Sequence, residues 1–104
     1  MKVNIPGHNY ELANLENKEA QGQILQFIQK EPISPGSSEL VTIHDGTTNE
    51  EVLKVLINRM ESLQAKFPCR ENALALTHME ESLMWLDKRT ADRLKRNVEG
   101  KQLV

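Results

Sequence analysis

One cysteine, one tryptophan, one tyrosine and two phenylalanines are all that the 104 residues hold of the side chains that most often staple or fill a small fold. Cys69, being alone, cannot close an internal disulfide; its place beside Arg70 at an expected helix start is one that makes a thiol mildly reactive, and a structural cysteine is the favoured reading. A core this poor in aromatics leaves slim stability margins, which assembly is one way to widen. No run of 18 apolar residues occurs, and Met1-Lys2-Val3-Asn4-Ile5 lacks the apolar centre of a signal peptide. The expectation is a cytoplasmic protein that neither spans a membrane nor binds one.

Charge of one sign is also scarce. The net charge of −2 argues against a protein held to a nucleic-acid polymer by bulk electrostatics. The distribution is less even. Residues 85–104 hold Lys88, Arg89, Arg93, Lys95, Arg96 and Lys101 against Asp87, Asp92 and Glu99, a local +3 that leaves −5 on the rest. A local anion site fits this pattern better than a general polyanion surface.

The length fits one domain able to bury roughly two-thirds of its unfolded surface. Residues 1–47 read as an antiparallel sheet region. Ile5-Pro6-Gly7-His8-Asn9 is a turn-rich entry, Tyr10-Glu11-Leu12-Ala13-Asn14-Leu15 alternates as a strand does, and residues 17–22 break that pattern. The β-branched and aromatic content of residues 23–30, between Gly22 and Pro32, favours a second strand. After the Pro-Gly-Ser loop of residues 32–38, Glu39-Leu40-Val41-Thr42-Ile43-His44 alternates as a third and stops at Asp45-Gly46. A three-stranded antiparallel meander is expected.

Residues 48–67 read as a first long helix. Thr48-Asn49-Glu50-Glu51 fits a capping box, and Leu53, Leu56, Met60, Leu63 and Phe67 repeat at the spacing of a narrow helix seam. Pro68 ends it. A second long helix over residues 68–99 places Ala73, Leu76, Met79, Leu83, Leu86, Thr90, Leu94 and Val98 on one broad face. So short a turn makes the pair an antiparallel helical hairpin. The second helix also carries Leu74, His78, Glu81, Trp85 and Arg89 along nearly the opposite face. A two-layer domain buries one face per helix, so this extra stripe calls for a further partner, either a second subunit or a ligand. The fold class expected is α+β, assembling as an oligomer with a helical core.

Catalytic chemistry is poorly supplied. His8, His44, Cys69 and His78 show no zinc-ligand spacing, and no glycine-rich phosphate loop or nucleophile elbow occurs. Cys69 and His78 stand more than about 10 Å apart along one helix. Glu80-Glu81 reads as a solvated or ion-paired couple. No catalytic residue, metal or cofactor is expected. Phe67, Arg70, Asn72, Thr77, Trp85, Arg89 and Arg93 instead combine guanidinium forks for phosphate, rings for base stacking and amide or hydroxyl groups for base edges. The same residues also admit a plain reading, with the rings packing and the arginines solvating a helix end near its negative dipole.

The run Arg70-Glu71-Asn72-Ala73-Leu74-Ala75-Leu76-Thr77-His78-Met79-Glu80-Glu81-Ser82-Leu83-Met84-Trp85-Leu86 resembles the signature helix of the phage anti-CBASS and anti-Thoeris nucleotide sponges. Their pattern is Arg-Glu-x-Ser/Ala-Leu-Ala-x-Thr-Lys-Leu-Glu-Glu-Ala-x-Met-Trp. The likeness covers about a third of the chain, and the preceding strands are similar in kind to the anti-Thoeris branch. His78-Met79 stands where Lys-Leu is usual, and Ser82 replaces Ala.

The resemblance implies non-catalytic sequestration of a cyclic oligonucleotide or cyclic ADP-ribose-type immune signal in the host bacterial cytoplasm. It also implies a homo-oligomer, typically a hexamer. Arg70, Asn72 and Thr77 lie in the matching motif and are the expected ligand contacts. Phe67 flanks it as a stacking candidate, while Arg89 and Arg93 follow it as phosphate candidates. Two other readings stand beside this one. A structural or adaptor subunit would use the same helix face to bind only protein. A ribbon-helix-helix DNA binder would require residues 39–44 to read a groove, which an acidic half with few basic groups serves badly.

Overall fold

In a computed structural model, which describes residues 1–96, the chain divides into two compact units, Met1–Thr48 and a second that opens at Asn49. The fold is α+β, with antiparallel strands followed by a helical hairpin. The expected Val98 contact and the end of the second helix at residue 99 lie outside the described residues.

The first unit holds β1 (Lys2–Ile5), β2 (Asn9–Leu12), β3 (Gln23–Gln26), β4 (Gln29–Pro32) and β5 (Leu40–His44). A meander is present, but its strands are β1, β2 and β3, and β4 and β5 form a separate two-stranded ribbon. Two readings of the sequence change accordingly. The N-terminal residues taken as a plain entry contain β1, which pairs Val3 with Tyr10 across a bulge. The segment taken as one strand over residues 23–30 is two strands. Their break at Phe27-Ile28 arises because the backbone there changes partner. Phe27 N–H donates to the His8 carbonyl at 2.7 Å, while Ile28 N–H donates to the Thr47 carbonyl at 2.9 Å.

Two turns follow directly from their residues. Ile5-Pro6-Gly7-His8 and Ser34-Pro35-Gly36-Ser37 each place proline second and glycine third, with φ of 80° at Gly7 and 79° at Gly36. Each closes with an amide-to-carbonyl bond across the turn, at 2.9 Å and 3.1 Å respectively. This is the type II pattern, in which positive φ at the third residue favours glycine. Across the meander, Asn4 donates to Asn9 Oδ1 at 2.9 Å and Asn9 donates to Gln26 Oε1 at 2.7 Å, while Tyr10 and Phe27 meet edge to face. Polar side chains thus supply much of the cross-strand order where large apolar ones are few.

In the second unit, α1 (Asn49–Lys66) starts directly after Thr48, with Glu50 and Glu51 in its first turn, as a capping box requires. α2 (Arg70–Lys95) runs back against it as a hairpin. The seam keeps a seven-residue period. Leu53, Met60 and Leu63 of α1 are half-buried as expected and are joined by Val52, Ile57 and Gln64, and Leu76, Met79, Leu83, Leu86 and Thr90 of α2 are half-buried likewise. Leu56 is 44% exposed and Phe67 77%; Ala73 and Leu94 are also exposed. Phe67 follows Lys66, the last residue of α1, so the turn rather than the helix period sets its direction. Asn72 and Arg93 continue the α2 seam at steps of four and three residues, where alanine and leucine were expected.

Among the described residues no apolar side chain is fully buried, and Arg93, at 5% exposure, is the one buried side chain. No described helix is long and apolar enough to cross a membrane. Close backbone approach decides at least one position in the sheet unit, because a Cβ at Gly22 would overlap the Leu12 carbonyl oxygen. Gly22→Ala is expected to lower stability by about 2 kcal/mol or more, read as a reduced urea midpoint at unchanged slope.

Candidate functional site

The hairpin turn is built by side chains as much as by backbone. Cys69 adopts extended geometry as the N-cap of α2, and its Sγ accepts from the Asn72 backbone N–H at 3.4 Å. Gln64 closes the turn from α1. Its Nε2 donates to the Cys69 carbonyl at 3.0 Å, and its Oε1 accepts from the Cys69 N–H at 3.1 Å. This two-way amide bridge fixes where Arg70 leaves the turn. Neither role was read from the sequence, since glutamine is a common surface residue and cysteine a rare cap.

The expected site residues fall into two groups. Phe67 and Arg70 stand exposed at the turn. Thr77, also exposed, lies seven residues beyond Arg70, so it occupies the same flank of α2 about 10 Å further along. Asn72 is half-buried in line with Leu76 and Met79, and so turns toward the hairpin seam. Arg89 and Arg93 belong to the other end of the helix, roughly 30 Å from Arg70 by helix rise. One chain does not bring the two groups together.

The far group has its own cleft. Trp85, Lys88, Arg89, Asp92, Arg93 and Arg96 line a volume of about 270 Å³. They recur at three and four residues along one helix face, the signal by which Lys88 and Arg96 could have been added to the candidates. Trp85 is 62% exposed and Arg89 is exposed, while Arg93 is buried and has interaction partners within the chain. Lys88 Nζ meets Asp92 Oδ2 at 3.0 Å. Four cations against one carboxylate leave the cleft strongly positive. Cations at a helix C-terminus are partly explained by the helix dipole. An exposed indole among them is not, and together they form a surface suited to an anion with a flat ring. Among the described residues no three His, Cys, Asp or Glu side chains are placed to hold a metal ion.

Residues 23–91 match the Acb2/Tad1 hairpin-domain family. The chain belongs to that family. Thoeris anti-defense 1 of Bacillus phage SBSphiJ7 is 51% identical over 63 residues, which cover 58% of this chain and 44% of that protein. The match therefore spans less than half of that relative's length. The Acb2/Tad1 segment takes in β3, β4, β5, α1 and α2 as far as residue 91, hence Phe67, Arg70, Asn72, Thr77, Trp85 and Arg89. Arg93 and Arg96 lie beyond it, as do β1 and β2 before it.

The Gln64 bridge gives the turn a direct test. Gln64→Ala should lower stability by about 1–2 kcal/mol in chemical denaturation, one ordinary net contribution for each of the two bonds lost.

Proposed function

We propose that this chain captures a cyclic oligonucleotide or cyclic ADP-ribose-type signal without cleaving it, and so keeps bacterial anti-phage effectors unactivated in the infected cell. The observation that carries this reading is the exposed Trp85 with Lys88, Arg89 and Arg96, lining one cleft beside the buried Arg93, on the helix of a hairpin that belongs to the Acb2/Tad1 family. The relative named for Thoeris anti-defence, at 51% identity, supports the same biology.

Capture takes place in a homo-oligomer, with a hexamer the expected size. Two features favour assembly. No described apolar side chain of the single chain is fully buried, and the ligand candidates of one copy lie about 30 Å apart. A multiply charged ring needs several donors around it, and an open cleft on one helix supplies them from one side only. Arg70 and Thr77 of one copy meet ligand together with groups of another, Phe67 stacks on a base, and Arg89 and Arg93 hold phosphate. Asn72, half-buried at the start of α2, offers its amide to a base edge from the seam side. The role is stoichiometric, with no catalytic residue, metal or cofactor.

The exposure of Trp85 equally suits an adaptor that binds only protein through the same face. Ligand binding separates the two. A ribbon-helix-helix reading is disfavoured because β5, its would-be groove strand, already pairs with β4.

Purified protein should rise in melting temperature with at least one member of a panel of cyclic dinucleotides, cyclic trinucleotides and cyclic ADP-ribose isomers. At a hundredfold excess over Kd, mass action gives about 2.7 kcal/mol. The ligand should return chemically intact after heat denaturation. Arg70→Ala and Arg89→Ala should each weaken capture at least about tenfold while leaving the oligomer's mass unchanged for Arg70→Ala, as expected from loss of a charge-assisted contact. No response across the panel would leave the adaptor reading in its place.

A further inference from the structure

One carboxylate stands where local physics disfavours it. Asp92 is the single acid among the side chains that line the Trp85 cleft, and with Arg96 it also bounds a neighbouring cleft of about 510 Å³ lined by Lys95. α2 ends at Lys95, so Asp92 lies in its last turn, close to the negative end of the helix dipole, where a carboxylate has the wrong sign. Aspartate is also a weak helix former. Its ion pair offsets little of this. Lys88 precedes Asp92 by four residues, the less favourable order for such a pair, and both side chains are more than half exposed. In a cleft built for phosphate alone, the carboxylate would in addition repel the ligand.

We propose that Asp92 reads a ribose hydroxyl of the captured ring, so that the cleft selects ligands whose sugar keeps a free hydroxyl beside the phosphate. This rests on the capture reading and adds a selecting residue to it. An ionised carboxylate only accepts hydrogen bonds, and a sugar hydroxyl is the donor that such a ring carries next to its phosphate. With a base stacked on Trp85, the guanidinium groups of Arg89 and Arg96 take the phosphate. Asp92, two turns and roughly 10 Å along α2 from Trp85, then stands at the sugar. Lys88 Nζ holds Oδ2 at 3.0 Å and leaves Oδ1 for the hydroxyl.

The carboxylate thus exchanges some attraction for phosphate against discrimination between sugars. A deoxy ring leaves the acceptor covered by ligand with no donor to meet it, and that mismatch is what a polar site rejects most strongly. An ion pair that merely stiffened the helix would treat ribose and deoxyribose rings alike.

The test compares ligands matched in everything but the sugar. Cyclic di-AMP and cyclic ADP-ribose are each titrated beside a deoxyribose counterpart, with pyrophosphate as a sugar-free anion, and binding is read by quenching of the single tryptophan and by calorimetry. On the wild-type protein at least one ribose ring should bind about tenfold or more tighter than its deoxy form. Asp92→Ala should abolish that preference, and Asp92→Asn, which keeps one acceptor, should retain part of it. Pyrophosphate should bind both variants more tightly than the wild type, because a like charge has gone. Asp92 is exposed on the helix, and circular dichroism checks that both variants keep their helix content.

Three results would overturn the hydroxyl reading while capture stands: a wild type indifferent to the sugar, a preference that survives Asp92→Ala, or pyrophosphate bound no more tightly by the variants, which marks a bridge that only positions Lys88. Binding of neither ribose ring overturns this inference, and silence across the wider panel removes capture itself.

Discussion

The packing of α2 against α1 along a single seven-residue seam governs what this chain can do. A heptad seam is narrow, so it shelters one strip of each helix and leaves the remainder of the circumference to solvent or to another molecule. Here even the strip is only half-buried, with Leu76, Met79, Leu83 and Leu86 of α2 against Leu53, Ile57 and Met60 of α1. Ionic and aromatic groups on the outer side, with Trp85 among them, are therefore presented by a helix whose far side is anchored and whose direction is set.

That anchoring depends on a small polar device. A turn of three residues between two long helices leaves orphan amides and carbonyls, which must find partners if the reversal is to hold one geometry. Gln64 and the Cys69 thiol provide them. Because Arg70 begins α2 immediately afterwards, its position is tied to the same bonds. The other candidate cluster is tied to it only by the rigidity of the helix between them, so separation along α2 is as firm a property of the site as the residues themselves.

The sheet unit obeys a different logic. Its strands are four or five residues long and largely polar, and they are ordered by amide side chains, two Pro-Gly turns and glycines that let backbones come close. The change of partner at Phe27-Ile28 divides it into a meander and a ribbon. Such short strands bury little apolar area each, so a strand gains as much by switching neighbours as by extending with one.

The class of the fold, the start of the first helix after Thr48, its end before Pro68 and the second stripe with Trp85 at its centre were all readable from residue order. Each depends on spacing within one element or on a local backbone preference, and such signals survive without knowledge of partners. The motif over residues 70–86 likewise pointed to the family. Strand partners, the inward turn of Ile57 in place of Leu56, the burial of Arg93 and the distance between the two groups of candidate residues were decided by tertiary structure. Those depend on which distant backbone group accepts a given hydrogen bond and on the phase in which two helices meet. Neither is encoded at a single position.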